Sequence, residues 1–167
     1  QHISEKMDLL ISDGKIAKIA KNIKETADKE YDLNGKYVCP GFIDMHVHLR
    51  EPGNEEKETI KTGSRAAVAG GFTSIACMAN TDPVADDVSM IKHIKEVADR
   101  NGIVNVYPIG ACTKGLEGKT MTQIGEMQRF GAIAFSDDGR PIENAQVFRR
   151  ILEYAAMFKA PIISHSE

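Results

Sequence analysis

The chain has 167 residues, 42% of them hydrophobic and 27% charged, which is typical of a globular protein with one buried core. Its net charge of −3 gives no sign of the basic surface that binds nucleic acid or anionic membranes. No apolar run approaches the roughly 20 residues of a transmembrane helix. We therefore expect neither nucleic acid nor a membrane among its partners.

The three cysteines indicate a reducing compartment. Cys39, Cys77 and Cys112 are an odd number and lack the CxxC spacing of a metal or redox site. Disulfide frameworks belong to oxidising compartments, whereas free thiols are common in the cytoplasm. We therefore expect a cytoplasmic protein with buried free thiols.

The first 38 residues predict short strands joined by tight turns. An Asp-Gly pair at 13–14 and an Asn-Gly pair at 34–35 are both flanked by apolar segments, which is a strong hairpin signal. The second hairpin would pair residues 31–33 with residues 37–39. Residues 1–38 are therefore predicted to form part of a small β domain.

From Pro40 onward, apolar strands alternate with amphipathic helices, and the strand starts are 28 to 31 residues apart. This period predicts a parallel sheet covered by helices. A doubly wound open sheet and a (β/α)₈ barrel both fit the pattern. The predicted strands are residues 41–49, 72–79, 103–110, 132–137 and 160–165.

Polar residues at the strand ends favour the barrel. In barrel enzymes the active site is built at the carboxyl ends of the strands. We therefore predict an α/β fold in which residues 39–167 form the first five βα units of a TIM-type barrel, a partial one. The polar residues at or just past these ends are His46, Asn80, Thr113, Asp138 and His165.

Two histidines near the end of the first barrel strand are candidate metal ligands. In an extended strand, His46 and His48 lie on one face, roughly 6.6 Å apart. Zinc favours imidazole nitrogens. A single histidine here would more simply be a core or surface residue, but two on one face of an apolar strand favour a metal site.

Two segments resemble the dihydroorotases, which are zinc enzymes of the cyclic amidohydrolase superfamily. Residues 44–53, Asp-Met-His-Val-His-Leu-Arg-Glu-Pro-Gly, are similar to the family's first-strand motif. Residues 78–83 resemble its Met-Pro-Asn-Thr-x-Pro element, with Ala79 in place of the proline. The resemblance covers essentially the whole chain. It implies that the β domain at residues 1–38 is the N-terminal part of a β-sandwich.

The resemblance implies two zinc ions (Zn²⁺) and a ligand set. His46 and His48 would bind metal, Asp138 would bridge the two ions, and His165 would bind the second. Hydantoinases carry a carboxylated lysine where Asp138 lies, and residues 132–139 contain no lysine. Taken without the resemblance, Asp138 could equally be part of a turn.

Arg50 and Asn80 are the predicted substrate-binding residues. A guanidinium pairs with a carboxylate through two hydrogen bonds, and an amide adds another. Without the resemblance, Asn80 could equally be a turn residue. His93 lies among charged residues of a predicted helix and is expected to be solvated.

The implied function is the reversible conversion of N-carbamoyl-L-aspartate to L-dihydroorotate in de novo pyrimidine biosynthesis. Two alternatives remain open. One is a hydantoinase- or allantoinase-type amidohydrolase. The other is a non-catalytic dihydroorotase-like assembly partner of aspartate transcarbamoylase.

We also expect the chain to be a piece of a longer protein. The resemblance places a sixth-strand histidine ligand and an eighth-strand aspartate outside this sequence, so within it we predict no catalytic residue besides the metal ligands. The 167-residue chain alone is therefore expected to be inactive. Its expected partners are the small-molecule substrate, the remainder of its own chain, a second copy in a homodimer, and aspartate transcarbamoylase.

Overall fold

The computed structural model describes residues 5–165. The chain divides into two compact units, the first ending at Cys39 and the second beginning at Pro40. In the first unit, strands β1 (Asp8–Ser12) and β2 (Lys15–Ala20) form an antiparallel pair. Asp13 and Gly14 join them with φ angles of 51° and 71°. Positive φ at both central residues is what the favoured two-residue hairpin turn requires.

The prediction of a second hairpin is wrong, because the residues that flank its turn form no strands. A turn is present at residues 34–35, and the Lys36 amide donates to the Leu33 carbonyl at 3.0 Å. No strand is assigned on either side of this turn. Tyr37, for example, is 99% exposed. A short strand pair without a packed apolar face has little stability in water.

The second unit is a four-stranded parallel sheet with the order β3-β4-β5-β6. Sheet order follows chain order, without the reversal that defines a doubly wound sheet. The sheet therefore corresponds to half of a parallel α/β barrel, as predicted. The strands are β3 (Phe42–Val47), β4 (Phe72–Cys77), β5 (Asn105–Gly110) and β6 (Ala134–Phe135). The helices are α1 (Ile60–Ala69), α2 (Val88–Asn101), α3 (Ile124–Arg129) and α4 (Ala145–Met157).

The fifth predicted barrel strand, residues 160–165, forms only an isolated parallel bridge between Phe135 and Ile162. The Phe135 amide donates to the Pro161 carbonyl at 3.0 Å, and the Ile163 amide donates to the Phe135 carbonyl at 2.9 Å. Pro161 has no N–H to donate, so it cannot extend the ladder. The segment nevertheless runs alongside β6.

Side-chain caps begin three of the helices. Thr59 and Thr62 form a reciprocal capping box at α1. At α2 the Asp87 carboxylate accepts a hydrogen bond from the Met90 amide, and hydrogen bonds from Ser89 and Met90 lower the pKa of Asp87.

None of the helices within residues 5–165 is long and apolar enough to cross a bilayer.

The main apolar core lies between the sheet and its helices. Alternate β4 residues face it, because successive side chains of a strand point to opposite faces. A smaller cluster lies on the other face. The main core includes Ile60, Ile75, Cys77, Ile91, Ile94, Ile124, Met127, Phe135 and Ile151. The smaller cluster contains Ala76, Met78, Ile109 and Ala134, with Ile163 packed against it.

The prediction of buried thiols holds for two cysteines of the three. Cys77 and Cys112 are buried, and burial raises the pKa of the Cys77 thiol to about 12. Cys39 is exposed, so the prediction is wrong there. It lies after the 34–35 turn in a segment that forms no strand.

We predict that Ile151→Ala destabilises the second unit by about 2–5 kcal/mol, because Ile151 is 0% exposed in the core and its truncation leaves a cavity. Leu152, the next residue of α4, is 43% exposed and provides the matched control. Leu152→Ala should cost less than about 1 kcal/mol. Denaturant unfolding of both variants measures the difference, and equal losses would contradict this packing.

Candidate metal centre

The carboxyl end of β3 presents two imidazole rings side by side. His46 and His48 have ring centroids 5.2 Å apart, with an angle of 69° between the ring planes. His46 is exposed and His48 is half-buried. Both rings are directed at a single carboxylate that follows another strand of the sheet.

That carboxylate belongs to Asp138, three residues beyond β6. His46 Nε2 lies 3.2 Å from Asp138 Oδ1, and His48 Nε2 lies 3.4 Å from Asp138 Oδ2. The ligand atoms of these three residues all lie within 4.8 Å of one another. Asp138 is only 6% exposed. Two imidazoles and a carboxylate converging in this way form a donor set suited to zinc or a similar divalent ion.

His165 approaches the same carboxylate from the segment beside β6. Its Nε2 lies 3.8 Å from Asp138 Oδ1, and its side chain is half-buried. The structure thus brings all four predicted metal ligands to one place. Asp138 lies in the middle, and His46 and His165 face the same oxygen.

A hydrogen bond to Asn80 selects the tautomer of the neutral His48 ring. Asn80 Oδ1 lies 2.9 Å from His48 Nδ1. An amide oxygen only accepts, so Nδ1 carries the proton and donates. In the neutral ring, Nε2 is then an acceptor, and it faces the Asp138 carboxylate, which is also an acceptor. A cation between the two satisfies both, so the residues present fit a metal ion.

The neighbouring Asp137 has a different partner. Its carboxylate accepts the Thr113 amide at 2.9 Å and also the Thr113 hydroxyl. Burial raises the pKa of Asp137, and the hydrogen bonds from Thr113 oppose that shift. Of the two adjacent carboxylates, only Asp138 faces the histidines, which agrees with the alternation expected of consecutive residues.

Arg50 follows β3 in an unusual backbone conformation. Its φ is +60°, in the left-handed region that few residues other than glycine adopt. The Arg50 carbonyl accepts the Asn54 amide at 2.9 Å, which closes the loop over residues 50–54. Strained backbone of this kind often marks functional positions.

Sequence reasoning missed the contact between Asn80 and His48. The two residues are 32 positions apart in the chain, and nothing in the spacing indicates that they touch. The available signal was that both follow adjacent parallel strands, whose carboxyl ends meet at one edge of the sheet.

The fold and the site together define the class: a half-barrel of parallel strands with a candidate metal centre at their carboxyl ends. The family model described as Dihydro-orotase-like matches residues 35–167. The chain belongs to the dihydro-orotase-like family.

Curated relatives agree with this assignment. The chain is 53% identical over 163 residues to a dihydroorotase of Pelotomaculum thermopropionicum, covering 98% of this chain and 38% of that relative. It is 53% identical over 160 residues to a dihydroorotase of Solibacter usitatus, covering 96% of this chain and 37% of that relative. The chain therefore spans about two fifths of the length of these relatives.

A solved structure shares the fold. The L-hydantoinase (dihydropyrimidinase) from Arthrobacter aurescens is similar with a TM-score of 0.82 and 24% sequence identity. The similarity covers 96% of this chain and 37% of that protein. At this identity it supports the barrel architecture alone.

We predict that Asn80→Ala lowers metal affinity about ten- to a hundredfold, as loss of a partner that orients a ligand does. Without the Asn80 oxygen, His48 loses its fixed tautomer. The measurement is competition with a chromophoric chelator in the full-length protein. His93→Ala, on the exposed face of α2, is the control and should change nothing. If Asn80→Ala raises KM while metal affinity stays the same, Asn80 serves the substrate alone.

Proposed function

We propose that this chain is the metal-binding N-terminal part of a dihydroorotase, which interconverts N-carbamoyl-L-aspartate and L-dihydroorotate. The observation that supports it most directly is the convergence of His46, His48 and His165 on the Asp138 carboxylate. The carboxylate occupies the position where the resemblance distinguishes dihydroorotases from hydantoinases. The family membership of the chain supports the same reaction.

We propose that the metal is zinc and that two ions bind in the complete protein. His46 and His48 would hold one ion, His165 would hold the other, and Asp138 would contact both. The position of Asp138 supports this role, because its carboxylate lies within 3.8 Å of the candidate ligands of both ions. Bound zinc would supply positive charge that favours ionisation of water and stabilises negative charge on a carbonyl oxygen.

The chain's own residues would then orient the reactants. Asn80 keeps the proton of His48 on Nδ1, so that Nε2 remains available as a ligand atom. Arg50 would pair with the substrate carboxylate, because a guanidinium and a carboxylate match in charge and shape. Holding the carboxylate fixes the direction of the ring amide, and such orientation is a large part of catalysis.

The reaction itself is a hydrolysis. The ring amide C–N bond breaks, the oxygen of water bonds to the carbonyl carbon, and the ring nitrogen gains a proton. The reverse direction closes the ring and releases water. No oxidant or reductant takes part.

The test uses the full-length protein with zinc supplied. L-dihydroorotate, hydantoin and allantoin are offered separately. Ring opening is monitored as a decrease in ultraviolet absorbance. We expect turnover of dihydroorotate, with activity lost on chelation and restored by zinc. Preferential opening of hydantoin or allantoin would contradict the proposal, as would a metal-loaded protein that opens none of the three.

We predict that Arg50→Ala raises KM for dihydroorotate roughly ten- to a hundredfold, since a hydrogen bond to a charged group contributes about 1.5–3 kcal/mol. Metal affinity should stay the same. Arg100→Ala is the control, because Arg100 lies on α2 in an exposed ion pair with Glu96. Unchanged KM and kcat in Arg50→Ala would remove Arg50 from the substrate site.

The homodimer and the association with aspartate transcarbamoylase are proposed on the resemblance, and the cytoplasmic location is proposed on the three cysteines. A single gel-filtration experiment with full-length protein, with and without aspartate transcarbamoylase, tests the first two. Co-elution would support the association.

A further inference from the structure

Strand β3 contains a bulge directly at the first candidate ligand. Asp44 pairs with Ile75 and Val47 pairs with Cys77, so two β3 residues lie opposite the single residue between those partners on β4. Those two residues are Met45 and His46. Bulges change the direction of side chains and are common next to active sites.

The Asp44 carboxylate holds this bulge. The His46 backbone amide donates to Asp44 Oδ1 at 3.0 Å. A bulge otherwise leaves the extra residue's backbone without a partner in the ladder, and the Asp44 carboxylate supplies one. Beyond the bulge the ladder resumes, and the Met78 amide donates to the Val47 carbonyl at 2.9 Å.

The bulge has a consequence for the metal centre. Ile75 and Cys77 lie on the same face of β4, because they are two residues apart. Asp44 and Val47 are three residues apart, so in a regular strand their side chains would point to opposite faces. They nevertheless pair with these two residues. The bulge therefore interrupts the alternation of side chains between the two faces of β3, from Asp44 to Val47. His46 is one of the two bulge residues, and its Nε2 lies 3.2 Å from Asp138 Oδ1.

We propose that Asp44 is a positioning residue of the metal centre: its carboxylate fixes the β3 bulge and thereby directs the His46 imidazole at Asp138. Asp44 contacts the His46 backbone, two positions away, and acts through it. The proposal rests on the proposed metal centre and not on the identity of the substrate.

The experiment compares two conservative substitutions in the full-length protein. Asp44→Asn keeps an oxygen acceptor in the same place and loses the charge. Asp44→Glu keeps the charge and moves the carboxylate away by one methylene group. Zinc affinity is measured by competition with a chromophoric chelator, and the visible spectrum of the cobalt-substituted protein reports ligand geometry.

We expect Asp44→Asn to bind zinc within about threefold of the unmutated protein, with the same cobalt spectrum. Asp44→Glu should bind about ten- to a hundredfold more weakly, the range for residues that orient ligands, with an altered spectrum. Asp32→Ala is the matched control and should change neither readout. Asp32 makes the same type of contact, accepting the Asn34 amide at 2.9 Å, in the first unit.

Each other result overturns the assignment. If Asp44→Asn binds zinc as weakly as Asp44→Glu, charge rather than the hydrogen bond is what matters. If neither variant changes affinity, Asp44 does not position His46. Should Asp44→Glu not fold, Asp44→Ala takes its place, because it removes the acceptor of the His46 amide. Unchanged zinc affinity in Asp44→Ala would then overturn the assignment. A protein that binds zinc without opening dihydroorotate contradicts the proposed reaction only, and one that binds no metal contradicts both proposals.

Discussion

The arrangement of the site depends on a carboxylate that is almost removed from water. Asp138 is 6% exposed, and three imidazole nitrogens surround it at 3.2, 3.4 and 3.8 Å. An ionised carboxylate that loses its water shell costs several kcal/mol unless a cation or hydrogen-bond donors replace the water. In its neutral form, the His48 ring presents an acceptor nitrogen to Asp138, because its Nδ1 proton is donated to Asn80. The geometry is therefore best satisfied by a positive ion, and this requirement is the physical basis of the metal assignment.

Short-range contacts make the position of Asp138 well defined although β6 has only two residues. On one side, the Asp137 carboxylate accepts hydrogen bonds from Thr113, which follows the neighbouring strand β5. On the other side, the Ser136 hydroxyl donates to the Ile163 carbonyl at 2.8 Å. The Ser136 amide also donates to the Gly110 carbonyl. Ser136 and Asp137 thus hold the backbone in place, and Asp138 faces the histidines.

The sequence predicted the features that depend on periodicity and on residue type. The βα period and the polar strand ends predicted a partial barrel, and the parallel sheet and the family membership confirm that fold. The features that the sequence did not predict depend on how one strand pairs with another. The bulge at Met45 and His46 is a property of β3 against β4, and the local pattern alone shows a regular strand. Likewise, the apolar run at residues 160–165 indicated a full strand, but Pro161 and the two-residue length of β6 limit it to a bridge.

A further constraint joins the substrate-binding candidate to the metal centre. The Asp82 amide donates to the Pro52 carbonyl at 3.0 Å, so the loop after β3 is bonded to the loop after β4. Gly53, with a φ of +100°, packs so closely against the Asp82 backbone that a side chain has no room there. Arg50 and Asn80 lie at the starts of these two loops. The contact between the two loops is made by their backbones. The glycine and proline that end the Arg-Glu-Pro-Gly motif therefore have a physical role: they let the loop carrying Arg50 rest on the loop whose asparagine orients His48.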